Sequence, residues 1–201
     1  MITAREGGCR FTGLHWLRVT MWGELGEIQG VVERALGDLL DEWVAEGEWW
    51  CEKSARGRVS RCVGVGDGSY VWVDEFGDEP HRCVVVTGKG CDALGVGGQA
   101  KLLQTIRASG LKWRASAVHA AFDGFPMGVA DVWEALKRGD VRTRLKIEPE
   151  YVCSQSGETV YTRSKPEKCG VERYIRWYDM RGPVRLECVW KKKWAAALVE
   201  S

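Results

Sequence analysis

The sequence predicts an α+β fold: an antiparallel sheet with helices on one face, built from a duplicated β-α-β-β unit. Three observations predict it. Gly157-Glu158-Thr159-Val160-Tyr161, Tyr174-Ile175-Arg176-Trp177-Tyr178-Asp179 and Arg185-Leu186-Glu187-Cys188-Val189-Trp190 are three runs rich in aromatic and β-branched residues, each bounded by Gly, Pro or charge. Glycine is abundant (25) and proline scarce (5), which suits many short strands joined by turns. The order strand, helix, strands, helix also occurs twice, on either side of Gly110. The expected organisation is a leader over residues 1–12, an N-terminal half over 13–110, and a C-terminal half over 111–201, all in one compact domain.

Leu14–Met21 reads as the first strand, closed by Gly23. Residues 25–46 carry Leu25, Ile28, Val31, Val32, Ala35, Leu36, Leu39, Leu40, Trp43 and Val44 at three- and four-residue spacings, which predicts one helix stopped by Gly47. Strands follow at Val59–Val65, Tyr70–Asp74 and Arg82–Thr87, the first two joined by the turn Gly66-Asp67-Gly68. Thr87-Gly88-Lys89-Gly90-Cys91 ends this block, and a helix over Gln99–Ala108 stops at Gly110. The second half repeats the series. A strand at Trp113–Phe122 leads into a short helix through Val129, Val132, Trp133 and Leu136, ending at Gly139. Strands then lie at Arg144–Val152, Glu158–Thr162, Tyr174–Asp179 and Arg185–Trp190, and a terminal helix starts near Lys193. Sliding the first strand onto its counterpart sets Gly23 on Gly124, Trp22 on Asp123 and Arg18 on His119. The first half therefore lacks the acidic residue, and an active site belongs to the second.

The chain of 201 residues is 45% hydrophobic, enough for a real core. Its net charge of +1 excludes a uniformly basic nucleic-acid binder. Charge is uneven, however: basic residues outnumber acidic ones from Arg163 to Lys193, a local face able to hold phosphates. Some of the 11 tryptophans fill the core, and others can stack on flat ligands such as bases. None of the eight cysteines forms a Cys-x-x-Cys pair, and Cys83, Cys153 and Cys188 lie in apolar runs as small hydrophobes would. A reducing, cytoplasmic setting is expected, with no disulfide framework, signal core or membrane segment.

His119, Ala121 and Asp123 point to one side of their strand, and the neighbouring alanines leave space above it. His119 and Asp123 can share a metal ion with a carboxylate from an adjacent strand, and Glu187, set among apolar residues, is the best partner. The simpler alternative is that His119 and Asp123 hydrogen-bond each other or an arginine. Tyr174, Arg176 and Tyr178 share a face of their strand. A lone strand tyrosine is ordinary filler. Tyr178 stands out by its company: a His/Asp/Glu set, the flanking Arg176 and a basic loop at Arg163–Lys168. A tyrosine, with a pKa near ~10, needs help to attack at neutral pH, which a divalent cation polarising the target phosphate, with arginines stabilising the developing charge, supplies.

Three segments resemble the replication initiation factor family of rolling-circle initiators and related relaxases, the class lacking a histidine-pair motif. They are Val84-Val85-Val86-Thr87-Gly88-Lys89-Gly90-Cys91, the strand ending in Asp123, and the series Gly157-x-Thr159-x-Tyr161, Arg163-Ser164, Arg176-x-Tyr178-Asp179, Arg185-x-Glu187. The third is the most specific. The resemblance implies a metal-dependent nicking and joining enzyme whose tyrosine forms a 5′-phosphotyrosyl link to single-stranded or hairpin DNA. Tyr178 matches the nucleophile, aided by Arg176, and Asp123 and Glu187 match the metal carboxylates. His119 stands where an acid is usual; imidazole suits Mn²⁺ better than Mg²⁺. Met180 stands where a lysine is common. Arg163, Lys165, Lys168 and Arg173 are expected to contact DNA phosphates. A host helicase or polymerase and a second copy of the chain are further candidate partners; a membrane is not. A conjugative-type relaxase, a DNA-binding module without catalysis, and a protein whose polar strand residues are purely structural are the alternatives.

Overall fold

The structure, a computed structural model, describes residues 10–43, 50–53, 59–65, 68–75, 79–125, 127–141, 148–155, 157–163, 172–179 and 184–200. It is an α+β fold with antiparallel pairing. The first series runs β1 (Arg10–Trp22), α1 (Leu25–Leu36), α2 (Asp38–Trp43), β2 (Trp50–Lys53), β3 (Val59–Val65), β4 (Gly68–Glu75), β5 (His81–Val86) and α3 (Gly88–Ala108). The second runs β6 (Lys112–Phe125), α4 (Val129–Arg138), β7 (Glu148–Ser154), β8 (Gly157–Arg163), β9 (Arg173–Asp179), β10 (Val184–Lys191) and α5 (Lys193–Glu200). The expected repeat of strand, helix, strands and helix is thus present in the element order.

Two compact units can be distinguished, one formed by Gly13–Val118 with Ala195–Ser201, the other by Met1–Thr12 with His119–Trp194. In the first, strands run in the order β2-β3-β4-β5-β1. Alternation sends Leu17, Val19 and Met21 of β1, Val84 and Val86 of β5, and Val71 and Val73 of β4 to one face, all buried. Ile28, Val31, Val32 and Ala35 of α1, with Leu102 and Ile106 of α3, are buried with them. Each such side chain contributes about 1.5–3 kcal/mol on leaving water. The other face of β1 and β5 is more polar: Arg18 donates to the Cys83 sulfur at 3.4 Å, and Thr20 lies 3.6 Å from it.

Several boundaries differ from the sequence expectation, for local reasons. The helix expected over 25–46 is broken at Gly37, whose φ of 56° ends α1; residues 44–46 lie outside the described set. α3 starts at Gly88 rather than Gln99 and kinks at Gly95. Its start is fixed by Thr87, whose hydroxyl accepts the Gly90 N–H at 3.1 Å, while the Thr87 N–H donates to the Tyr70 carbonyl at 2.9 Å. β1 and β6 begin or extend further than expected, β2 was not expected, and β7 starts at Glu148, residues 142–147 lying outside the described set. The expected Gly66-Asp67 turn also lies outside it. Cys83 is buried as expected, whereas Cys153 is exposed because it sits on the edge strand β7. No helix among the described residues is long and apolar enough to cross a membrane.

The Thr87 turn makes a stability prediction. A Cβ on Gly90 would sit on the Tyr70 carbonyl, which is backbone and cannot swing away. Gly90→Ala should therefore destabilise by about 1–3 kcal/mol through overpacking. Thr87→Ala should cost about 1 kcal/mol through loss of the cap. Urea unfolding of both variants checks the order; equal stability of Gly90→Ala and wild type would contradict the close approach.

Candidate active site

The unit containing His119–Trp194 orders its strands β6-β10-β9-β8-β7. Its two faces differ. Val160, Trp177 and Val184 point toward α4, where they form a core with Val129, Val132 and Leu136. The opposite face carries the polar set. Arg185 pairs with Tyr178 and Glu187 with Arg176 in the β10–β9 register, so all four side chains share that face. His119 and Asp123 of β6, the strand adjoining β10, reach the same group.

Glu187 is the centre. Its side chain is fully buried, and its carboxylate is shared by three partners. Nδ1 of His119 lies 2.6 Å from Oε1. Arg176 donates to both oxygens, at 2.9 and 2.8 Å, and the Tyr178 hydroxyl donates to Oε2 at 2.9 Å. The Arg176 guanidinium also stands 5.1 Å over the Tyr178 ring. Next to this group, Arg185 makes a two-pronged pair with Asp123, Nε to Oδ1 at 2.5 Å and Nη2 to Oδ2 at 2.7 Å. Arg185 additionally hydrogen-bonds Tyr178. Tyr178 is therefore held between two guanidinium groups and a buried carboxylate.

These contacts set the proton inventory. Burial opposes ionisation of Glu187, but the hydrogen bond from His119 and the Arg176 charge win and bring its pKa down to about 2. Tyr178 moves the other way: burial, then the charge and hydrogen bond of Glu187, push its phenol well above the ordinary value. Arg185 is held cationic chiefly by its hydrogen bond to Asp123. In this arrangement the tyrosine is a neutral phenol, and the carboxylate below it is a weak base.

His119, Asp123, Glu187, Arg176 and Tyr178, all named from the sequence, come together on one face. Their pairing differs from a shared cation. Among the described residues no three His, Cys, Asp or Glu side chains converge to hold a metal ion. The donor oxygens of Asp123 are both bonded to Arg185, and those of Glu187 to Arg176, His119 and Tyr178. As arranged, the set does not fit a divalent cation. The arginine alternative is the one Asp123 realises. The sequence names Arg185 only within the Arg185-x-Glu187 motif and gives it no role in the site, although its place two residues before Glu187 puts it on the same face.

Of the residues expected to contact DNA, the described set includes the backbone of Arg163 and the whole of Arg173. Lys165 and Lys168 lie outside the described residues. Arg163 ends β8, its backbone opposite Tyr174. Arg173 is on the other face of β9 from Arg176, with its guanidinium 3.7 Å over the Trp194 ring.

Comparison with known proteins adds a likeness of fold. A solved rolling-circle replication initiator protein from Geobacillus stearothermophilus is similar over 96% of this chain and 78% of that one, with a TM-score of 0.65 at 17% identity. The regulatory subunit of aspartate kinase from Thermus thermophilus aligns over 96% of this chain and 95% of that one at 12% identity, but with a TM-score of 0.22, which is no likeness of fold. No family model and no curated protein sequence matches the chain.

Proposed function

We propose that this chain is a rolling-circle-type replication initiator that cuts and rejoins single-stranded or hairpin DNA through Tyr178. The observation that carries the reading is the Tyr178 hydroxyl, placed on the face opposite α4, donating to buried Glu187 and flanked by Arg176 and Arg185. Similarity of the whole fold to a replication initiator supports it.

The chemistry follows from exchange of partners. An incoming phosphodiester offers oxygens to Arg176 and Arg185, which release their carboxylates. Glu187 without Arg176 becomes a stronger base and takes the Tyr178 proton. The phenol oxygen forms a bond to phosphorus, and the bond from phosphorus to the 3′-oxygen breaks. That oxygen keeps the electron pair and takes a proton from solvent. A 5′-phosphotyrosyl link and a free 3′-hydroxyl result, while the two guanidiniums face the charge that develops on the phosphoryl oxygens. Joining is the reverse.

Metal dependence belongs to the same proposal, with His119, Asp123 and Glu187 as the donors for Mn²⁺ or Mg²⁺. A cation must first displace Arg176 and Arg185 from the carboxylates, so no step above is routed through one. A cation that does so meets an imidazole. Mn²⁺ should then support the reaction better than Mg²⁺, and His119→Asp should narrow the difference. Equal rates with both ions in the wild type would remove His119 from the donor set.

The test of the main reading is incubation with labelled single-stranded DNA and either ion, followed by a denaturing gel. A covalent protein–DNA adduct is expected. Binding without adduct under every condition would select the second reading, a DNA-binding module without catalysis, which the engagement of both carboxylates by arginine favours.

A further inference from the structure

Beyond the reacting group, the same sheet face continues across β9 and β8. Tyr161 lies directly opposite Arg176 in the β8–β9 register, and Tyr174 is two residues before Arg176 on β9. The two tyrosine rings are neighbours, with centroids 6.3 Å apart and planes tilted by 51°. Lys191 of β10 places its ammonium 5.6 Å from the centre of the Tyr174 ring. Both tyrosines are half-buried, set in strands rather than on loops. They lie away from the α4 core, on the side that carries Arg176 and Tyr178. Two adjacent rings on a rigid sheet, bordered by a guanidinium and an ammonium, combine what single-stranded nucleic acid is held by: π faces for bases and cations for phosphates.

Distance connects this patch to the chemistry. Arg176 is two residues from Tyr178, about 7 Å along the strand, and Tyr161 is one strand further, about 5 Å. A phosphate at Arg176 and Tyr178 therefore has room for one neighbouring nucleotide to lie over the tyrosine pair. Resting on the reading of Tyr178 given above, we propose that Tyr161 and Tyr174 form a stacking platform for a base flanking the scissile phosphate. Lys191 faces the adjoining phosphate. The platform positions the strand by stacking and does not read a base by hydrogen bonding, so it tolerates any base but not an abasic residue.

The experiment measures binding of fluorescently labelled single-stranded oligonucleotides to the full chain carrying Tyr178→Phe, which keeps the ring and prevents turnover. One abasic residue is walked through the oligonucleotide. The expected profile has a single position at which affinity falls roughly five- to 150-fold, the range for loss of one stacked base. In Tyr161→Leu or Tyr174→Leu, which keep an apolar side chain on the strand, that positional loss should shrink or vanish. Tyr161→Phe and Tyr174→Phe should retain it. A flat profile, or a profile unchanged in both Leu variants, overturns the platform. A flat profile with normal affinity and a normal wild-type adduct leaves the nicking reading intact. Failure to bind any single-stranded DNA overturns both.

Discussion

Tyr178→Phe is expected to abolish the covalent protein–DNA adduct and the nick while leaving folding and single-stranded DNA binding nearly intact. The substitution removes one oxygen and nothing else. The ring stays beneath the Arg176 guanidinium, and Glu187 keeps His119 and both Arg176 bonds. Loss of the hydroxyl's hydrogen bonds to Glu187 and Arg185 costs about 1.5–3 kcal/mol each at most, while Glu187 keeps His119 and Arg176 and Arg185 keeps Asp123. Loss of the nucleophile is on another scale, roughly 10⁴-fold or more in rate. Tyr161→Phe and Tyr174→Phe should keep the adduct. Tyr174 is four residues from Tyr178, about 13 Å along the strand, whereas attack requires the oxygen within about 3–3.5 Å of phosphorus. One phosphate cannot serve both. The gel that resolves adduct from free strand decides among the three, and persistence of the adduct in Tyr178→Phe would move the nucleophile elsewhere.

How much of this was legible in the sequence depends on which link is asked for. β8, β9 and β10 were legible because aromatic and β-branched residues alternate there between turn signals, and the structure extends each by only a residue or two. α3 was not legible at its start. Thr87-Gly88-Lys89-Gly90 has poor helix propensity and reads as a turn. The Thr87 cap and the approach of Gly90 to Tyr70, 20 residues earlier in the chain, hold it helical. The same division applies to the site. Period-two alternation was enough to put His119 with Asp123, Arg176 with Tyr178, and Glu187 on its own strand's inner row. What the side chains bond to depends on cross-strand register, which local pattern does not contain. Register sets Glu187 against Arg176 and Arg185 against Tyr178, and the carboxylates of Glu187 and Asp123 are engaged by Arg176 and Arg185 respectively.

The second large effect is expected at Glu187. Glu187→Ala should destabilise the fold by about 3–5 kcal/mol, because it leaves Arg176 and His119 facing a buried void without their counter-charge. Glu187→Gln keeps the volume and removes only the charge, so it should cost less but still abolish proton transfer from Tyr178. Acid titration separates charge from packing. The folded-state pKa is depressed from the ordinary 4.5 to about 2, so the unfolded chain binds the proton first as pH falls. Stability contributed by the carboxylate is therefore fully present above about pH 4.5 and is lost progressively toward pH 2, amounting to roughly 3 kcal/mol. The difference in unfolding free energy between wild type and Glu187→Gln should be constant from pH 7 to pH 5 and shrink below pH 4.5, within the range of that pKa shift. Urea unfolding at a series of pH values measures it. A difference that stays constant down to pH 2.5 would mean that the ionised Glu187 contributes through shape alone, and that the arginine and histidine around it do not hold its charge.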